Sequence, residues 1–283
     1  FLSVPKRHNA SYEPVPLFVN NILQAPAFAR VIAFSTTFWQ MMQQSRREEL
    51  TTFSSHSMPW KALVEIGYWH TNFGSEDSHI FWQCYLYYNG DWRVEPLFYP
   101  VYMDANAAPS FWQTIRNLYK QQRRWSWGVE NIPYLLYGFF KNRKIPLRQK
   151  CYWGFVMIES FHSWATNSLI IFAFGWLPLY LGGDIFRATL LAYNLPRYTS
   201  WIMTFANLFL ASSAFFSLLL LPQKHPLGFK WRQKIFYVLQ WVLTPITLIL
   251  FGSIPALESQ TRLMLGSRFR LGFWATPKSR PVS

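Results

Sequence analysis

The chain has 283 residues, of which 51% are hydrophobic, 20% aromatic and only 14% charged. Ordinary globular domains carry about 25% charged residues, so this composition argues against a typical soluble domain and favours a chain that faces lipid or lines a site with aromatic rings. The net charge is +14, but basic residues lie between long apolar runs, which argues against nucleic-acid binding and for the cytoplasmic loops of a membrane protein. Cys84 and Cys151 form neither a disulfide framework nor a zinc site, so a reducing compartment is expected.

The first half of the chain alternates short predicted strands and helices, which is typical of an α/β fold. Strands are predicted at 14–19 and 92–103, and helices at 26–46, 61–67, 76–88 and 110–127. Ser75 precedes the third helix in the manner of an N-cap residue. The pair Asn89-Gly90 predicts the turn that follows this helix.

The second half begins with a segment, 128–150, that combines aromatic residues with a basic cluster. This pattern predicts an interfacial helix followed by a cytoplasmic basic stretch. Three apolar runs come next, at 153–181, 198–221 and 235–254. About 20 apolar residues cross a bilayer, and the second and third runs fit that length. The first run carries Glu159 and His162, so we expect it to pack against protein or a cavity.

Loop charge predicts the orientation of these runs. The loop at 222–234 carries four basic residues and is expected to be cytoplasmic: Lys224, Lys230, Arg232 and Lys234. The loop at 182–197 is the better exterior candidate. The C-terminal tail is also basic, which predicts that it is cytoplasmic, whereas three full crossings would place it outside. Pro245 and Pro255 leave open a broken, re-entrant or interfacial third run.

Three short motifs follow one another along the chain: Glu76-Asp77 at a predicted helix start, Gln121-Gln122-Arg123-Arg124-Trp125, and Phe273-Trp274-Ala275-Thr276-Pro277-Lys278. Sugar transfer from a nucleotide donor needs a base for the acceptor hydroxyl and positive charge for the leaving diphosphate. Asp77 has the chemistry of the base, Arg124 that of the phosphate ligand, and Trp125 offers a flat face to a sugar ring. Each also has an ordinary interpretation, as a helix-dipole partner for Asp77 and as interfacial anchors for the Arg-Trp pair.

Together these residues resemble the family 2 glycosyltransferases of the cellulose, hyaluronan and chitin synthase type. In that family an apolar helix that ends near a Gly is followed by a Thr/Ser-Glu-Asp motif, as in residues 53–77 here, and a Gln-x-x-Arg-Trp motif comes later, just before membrane helices. The resemblance covers roughly residues 12–182. The last motif is similar to the gating-loop motif of bacterial cellulose synthases, with Ala275 in place of Val.

The resemblance implies a fold class of α/β plus transmembrane α, in which the C-terminal half of a GT-A nucleotide-sugar transferase domain precedes interfacial and membrane helices. The implied divisions are the acceptor half of the catalytic domain at 1–127, an interfacial helix and basic linker at 128–150, a transmembrane region of two to three spans at 151–255, and a cytoplasmic tail at 256–283. The protein is then a multi-pass protein of the cell membrane with its catalytic part in the cytoplasm.

By the same resemblance, Asp77 is the general base and Glu76 supports it. Three residues line the site for the acceptor and the donor diphosphate: Gln121, Arg124 and Trp125. Three more belong to a loop that closes over the nucleotide: Phe273, Thr276 and Lys278. The implied partners are a nucleotide-sugar donor, a glycan or lipid-linked acceptor and membrane lipids, and the implied reaction inverts the anomeric centre.

The chain also departs from the family pattern. The family requires an Asp for the nucleotide base and an Asp-x-Asp motif for Mg2+ or Mn2+, and neither precedes residue 76. Asp91 and Asp104 come too late in the chain to supply them. We therefore expect a fragment that starts downstream of the donor half, holds no metal ligands of its own and does not turn over alone, while the full-length enzyme uses the metal.

Two other functions remain open at this point. A transferase that adds a single sugar to a lipid or short glycan is a close enzymatic alternative, and a non-catalytic membrane scaffold or transporter component is a different class. The scaffold explains the basic loops, but it does not predict the three motifs in that order. His56, His70 and His79 lack metal-ligand spacing and are assigned to packing or to hydrogen bonds at the acceptor site.

Overall fold

A computed structural model describes residues 3–221, 231–272 and 274–277 of the chain. The fold is 66% helical and contains a small two-stranded parallel sheet. The strands are β1 (Ala10–Leu17) and β2 (Arg93–Tyr102). The helices of the first half are α1 (Ala27–Ser45), α2 (Trp60–Glu65), α3 (Glu76–Tyr87), α4 (Phe111–Ser126) and α5 (Asn131–Lys141). Those of the second half are α6 (Leu147–Phe174), α7 (Leu177–Leu181), α8 (Gly183–Arg187), α9 (Leu190–Leu219), α10 (Trp231–Leu239), α11 (Thr244–Thr247) and α12 (Ile254–Met264).

The elements predicted for the first half are confirmed, with small shifts in their bounds. β1 starts four residues earlier than predicted and carries Pro14 and Pro16, which lack an N–H group for the ladder. The parallel pairing changes register between Glu13 and Val15, next to Pro14. The described residues therefore form a mostly helical fold with a small parallel sheet and two possible membrane-length helices, and the GT-A α/β architecture stays a prediction.

Residues with positive φ end two of the helices. Gly67, at φ 79°, follows α2, and Asn89 and Gly90, at 54° and 87°, turn the chain from α3 towards β2. Ser75 is the N-cap residue of α3, as predicted, but its side chain accepts no hydrogen bond from the start of the helix. The segment before α3 is held by a different acceptor, described below.

Two apolar cores lie on either side of the first half. One joins α3, α5 and the start of α6, and it includes Phe81, Trp82, Trp92, Leu135 and Trp153. The other joins the end of β1, α1 and α4 to the segment 231–264, and it includes Phe18, Phe34, Leu118, Trp241 and Phe251. The first half of the chain and the segment 231–264 therefore share one core.

Two helical stretches are long and apolar enough to cross a membrane: α9, and the continuous stretch Trp231–Met264 that contains α10 to α12. By length and composition these stretches indicate membrane association. The second is not a regular α-helix, because a π-helical segment, Leu248–Ser253, precedes α12. Pro245 and Pro255 lie in the first turns of α11 and α12, where a proline leaves no helical hydrogen bond unmade.

Three boundaries predicted for the second half are wrong. The loop at 182–197 is largely helical, because Asp184 and Arg187 form an i,i+3 pair in α8 and α9 already begins at Leu190. Arg232 and Lys234 lie in α10 and not in a loop, while Lys224 and Lys230 lie outside the described residues. The linker after the interfacial helix is confined to 142–146, since α6 begins at Leu147.

Candidate active site

Asp77 lies in the first turn of α3 and is half-buried. Its backbone carbonyl accepts a hydrogen bond from Thr52 Oγ1 at 2.6 Å, and its Oδ1 accepts one from the backbone N–H of Ser78 at 2.9 Å. The neighbouring Glu76 has one carboxylate oxygen, Oε2, that is buried with no hydrogen-bond partner among the described residues. The helix start therefore presents two carboxylates beside the segment that contains Thr52.

Glu13 binds the segment that contains Thr52 through both of its carboxylate oxygens. Its Oε2 accepts a hydrogen bond from the backbone N–H of Phe53 at 2.8 Å, and its Oε1 accepts one from Ser55 Oγ at 2.6 Å. The Glu13 side chain is fully buried, and desolvation raises its pKa to about 8, with the nearby charge of Asp77 also raising it and the two hydrogen bonds lowering it. Glu13 is therefore mostly protonated at neutral pH.

His56 forms a hydrogen bond with the backbone of the same segment. Its Nδ1 lies 2.7 Å from the backbone carbonyl of Phe53, so this nitrogen carries the proton and donates. Burial lowers the pKa of the imidazole, and this shift outweighs the opposing effects of the hydrogen bond and of the charge of Asp77. A neutral His56 thus has a structural partner, in agreement with its predicted assignment to packing and hydrogen bonding.

Gln121 and Trp125, one turn apart on α4, line a narrow cleft against α1 and the segment 104–106. Gln121 Oε1 accepts a hydrogen bond from Asn106 Nδ2 at 3.2 Å. The Trp125 ring meets the ring of Phe53 edge to face, with centroids 6.0 Å apart and an interplanar angle of 72°. Trp125 therefore connects the cleft to the segment that Glu13 holds.

The end of α4 is joined to the segment before α3 by Glu130. Its Oε1 accepts a hydrogen bond from the backbone N–H of Gly74 at 2.7 Å, and its Oε2 accepts one from Trp127 Nε1 at 3.0 Å. Burial raises the pKa of Glu130, and these hydrogen bonds and the charge of Arg270 oppose the rise. The carboxyl group thus ties the Ser75-Glu76-Asp77 turn to the residues that follow Gln-x-x-Arg-Trp.

The two arginines of the motif have different surroundings. Arg123 donates to Glu258 of α12 at 2.7 Å, and Glu258 also accepts from Tyr119 Oη and Arg262 Nε at 2.7 Å each. Arg124, the residue assigned to the diphosphate, lies half-buried one position later. Arg123 therefore fixes α4 to α12, and its role is structural.

The C-terminal tail runs back over this region. Lys120 Nζ lies 5.3 Å from the centre of the Trp274 ring, and Arg270 donates to the carbonyl of Asn72 and lies 3.5 Å from Glu130 Oε2. Thr276 is half-buried, while Phe273 and Lys278 lie outside the described residues. The described part of the gating-loop-like motif is thus next to α4 through Trp274, and Arg270, which precedes the motif, contacts the segment before α3.

The predicted site residues are neighbours, but they do not share one cavity. Neither Glu76 nor Asp77 lines the cleft of Gln121 and Trp125. The backbone carbonyl of Asp77 contacts the side chain of Thr52, and the ring of Trp125 contacts the ring of the next residue, Phe53. The two motifs are therefore connected through the segment that contains Thr52 and Phe53.

Sequence reasoning missed Glu13, Glu130 and Glu258, which together hold the site. Only the scarcity of acids gave a signal, since the whole chain has 13 Asp and Glu residues and three of them lie here. The predicted packing role of His79 is confirmed. The ring of Phe73 stacks on the imidazole, with ring centroids 3.5 Å apart, and Asn131 Oδ1 lies 2.6 Å from His79 Nδ1.

Within residues 3–221, 231–272 and 274–277, no group of three or more His, Cys, Asp or Glu side chains is arranged to hold a metal ion. Asp91, one of the two acids that follow the motif, pairs with Lys6 at 2.9 Å. The described residues therefore do not fit the divalent metal that the resemblance implies.

Comparisons with known proteins do not identify a relative. No protein-family description, curated protein or solved structure matches the chain.

Proposed function

We propose that the chain is the acceptor side of a membrane-bound inverting glycosyltransferase of the family 2 type, which transfers a sugar from a nucleotide-sugar donor to a growing polysaccharide or a lipid-linked acceptor. The observation that carries this proposal is the clustering of three motifs far apart in sequence. The backbone of Asp77 contacts Thr52, the ring of Trp125 contacts Phe53, and the ring of Trp274 lies next to Lys120 of α4.

The chemistry assigns one task to each group. The acceptor hydroxyl oxygen attacks the anomeric carbon, its proton passes to the Asp77 carboxylate, and the bond from that carbon to the diphosphate breaks. Arg124 stabilises the negative charge that develops on the leaving diphosphate. Trp125 supports the acceptor ring by its flat face. One displacement from the opposite side inverts the anomeric centre.

Glu76 and Glu130 have supporting roles in this proposal. Glu130 holds the backbone at Gly74, and so determines where the following Glu76-Asp77 pair lies. The Oε2 of Glu76 is buried and has no hydrogen-bond partner among the described residues. Glu76 therefore supports Asp77 as its neighbour in the first turn of α3 and does not bind the substrate itself.

A non-catalytic membrane scaffold is the second candidate. It is favoured by one observation: the cleft of Gln121 and Trp125 does not include Asp77. Under this function the Arg123–Glu258 and Glu130–Gly74 contacts serve only to join α4 to its neighbours.

A substrate panel distinguishes the two functions. Membranes that carry the complete gene product are incubated with radiolabelled nucleotide sugars and Mg2+ or Mn2+, and polymer and lipid fractions are counted. If the protein is a transferase, the label from one donor should enter the polymer or lipid fraction in a larger amount than in membranes that lack the protein. No incorporation from any donor, with the protein folded and present, contradicts it and supports the scaffold.

A further inference from the structure

The turn between α5 and α6 has a rigid backbone. Lys150 Nζ donates to the carbonyl oxygens of Phe139 and Asn142 at 2.6 Å each, and so caps the end of α5. Asn142 Nδ2 in turn donates to the carbonyl of Leu86 at 3.1 Å and to Asn89 Oδ1 at 2.9 Å. The turn is therefore fixed to α3 and to the residues that follow it, and its outward side chains have a defined placement.

Four basic side chains project from this turn into solvent: Lys141, Arg143, Lys144 and Arg148. Residues 131–158 contain no Asp or Glu, and within the described chain no ion pair engages these four groups. Lys150, by contrast, is used inside the fold. The result is a surface cluster of four cations that form no ion pair among the described residues.

Apolar side chains are exposed beside these cations. Phe140 is 85% exposed, Leu147 74% and Tyr137 59%, while Leu135 and Phe139, on the opposite face of α5, are buried in the core. Lys141 Nζ lies 4.4 Å from the centre of the Tyr137 ring. We call the four basic and these three exposed apolar side chains the basic corner. Exposed aromatic and aliphatic groups mixed with cations are unfavourable in water but typical of a membrane interface.

We propose that the basic corner binds the headgroups of anionic lipids, with Phe140 and Leu147 inserted at the boundary of the acyl chains. Lys and Arg side chains next to an anionic leaflet are attracted to it, and aromatic rings prefer the same depth. An acidic protein surface would satisfy the cations but would leave the apolar groups in contact with polar groups. The proposal does not depend on sugar transfer.

The test uses the full chain, purified and delipidated in a neutral detergent, with fluorescent phosphatidylglycerol or phosphatidylcholine added in mixed micelles. We expect the protein to retain more phosphatidylglycerol than phosphatidylcholine. The double variant R143E/K144E lowers that retention by roughly tenfold, because two attractive charges become repulsive. The matched control is K61E/R116E, which makes the same change in net charge at exposed cations elsewhere.

Several outcomes overturn the proposal. Equal retention of the two lipids by the wild-type chain excludes selectivity for anionic headgroups, and equal losses in the two double variants assign the effect to net charge. Displacement of the lipid by millimolar inorganic phosphate alone would show a phosphate site rather than a lipid surface. Size-exclusion profiles confirm that each variant is folded. Retention is measured without a sugar donor, so failure here is separate from failure of the transferase proposal.

Discussion

Glu130 accepts a hydrogen bond from the backbone N–H of Gly74 at 2.7 Å, across 56 residues of sequence. A second bond, from Trp127 Nε1 at 3.0 Å, uses its other oxygen. This buried carboxyl group is the direct connection between the helix of Gln-x-x-Arg-Trp and the turn that carries Asp77. The relative placement of the two motifs therefore depends on this side chain, together with Asn131, which contacts Ser78 and His79 of α3.

Glu130→Ala should destabilise the protein by about 1–3 kcal/mol, because two buried donors lose their acceptor. Glu130→Gln should cost less, since its amide oxygen can still accept one of the two bonds. The thermal midpoint in detergent measures both. Glu48→Ala, at an exposed acid outside the site, should change stability by less than about 0.5 kcal/mol. Equal effects at residues 48 and 130 would show that Glu130 does not join the motifs.

Glu13 should make stability depend on pH. Between its ordinary value of 4.5 and its folded pKa of about 8, the unfolded chain ionises Glu13 while the folded chain keeps it protonated. The folded state then binds more protons, so the free energy of unfolding falls as pH rises through this window and levels off above it. Relative to wild type, Glu13→Gln should therefore gain stability from pH 4.5 to pH 8, by up to a few kcal/mol.

Thermal midpoints of the two proteins across that pH range measure this gain. Glu13→Ala is the contrasting variant, since it removes the acceptor of the Phe53 N–H and of Ser55 Oγ and should be destabilising at every pH. A difference between wild type and Glu13→Gln that is constant with pH would mean that Glu13 is ionised in the fold.

Substitutions of the two adjacent arginines of α4 should affect different properties: mainly stability for Arg123 and mainly sugar transfer for Arg124. Arg123→Ala breaks the contact with Glu258 and should lower stability by about 1–2 kcal/mol, because that pair is only partly buried. Arg124→Ala should reduce sugar transfer by far more than any accompanying loss of stability explains, because Arg124 is assigned to the leaving diphosphate. Parallel measurement of thermal midpoint and of label incorporation tests both. Loss of transfer in proportion to loss of stability in both variants would contradict the assignment of Arg124.

Trp125→Ala should raise the acceptor KM by roughly tenfold, because it removes the flat ring that supports a sugar. Nucleotide affinity should change little, and Trp125→Phe should recover most of the acceptor binding. Acceptor KM and nucleotide Kd, measured on the same preparations, provide the comparison. Equal losses in the two constants would indicate that Trp125 supports the fold through Phe53 and does not stack on the acceptor.

Local patterns predicted the fold of the first half well, because periodic apolar residues and turn signals such as Gly67 and Asn89-Gly90 are local. Prediction failed at 182–197, where charged residues suggested a loop although Asp184 and Arg187 pair within a helix. The motif residues were visible in sequence. The acids that organise them were not, because the contacts of Glu13 with Ser55 and of Arg123 with Glu258 span 42 and 135 residues.

The most direct test of the account is sugar transfer by Asp77→Asn in membranes that carry the complete gene product. Asparagine keeps an Oδ1 for the Ser78 N–H and the backbone carbonyl for Thr52, so folding and nucleotide binding should persist. Loss of a general base should reduce incorporation by at least about a hundredfold. Asp91→Asn, at an exposed acid paired with Lys6, is the control and should retain activity. Near-normal product formation by Asp77→Asn would contradict the proposed function of Asp77 as the base.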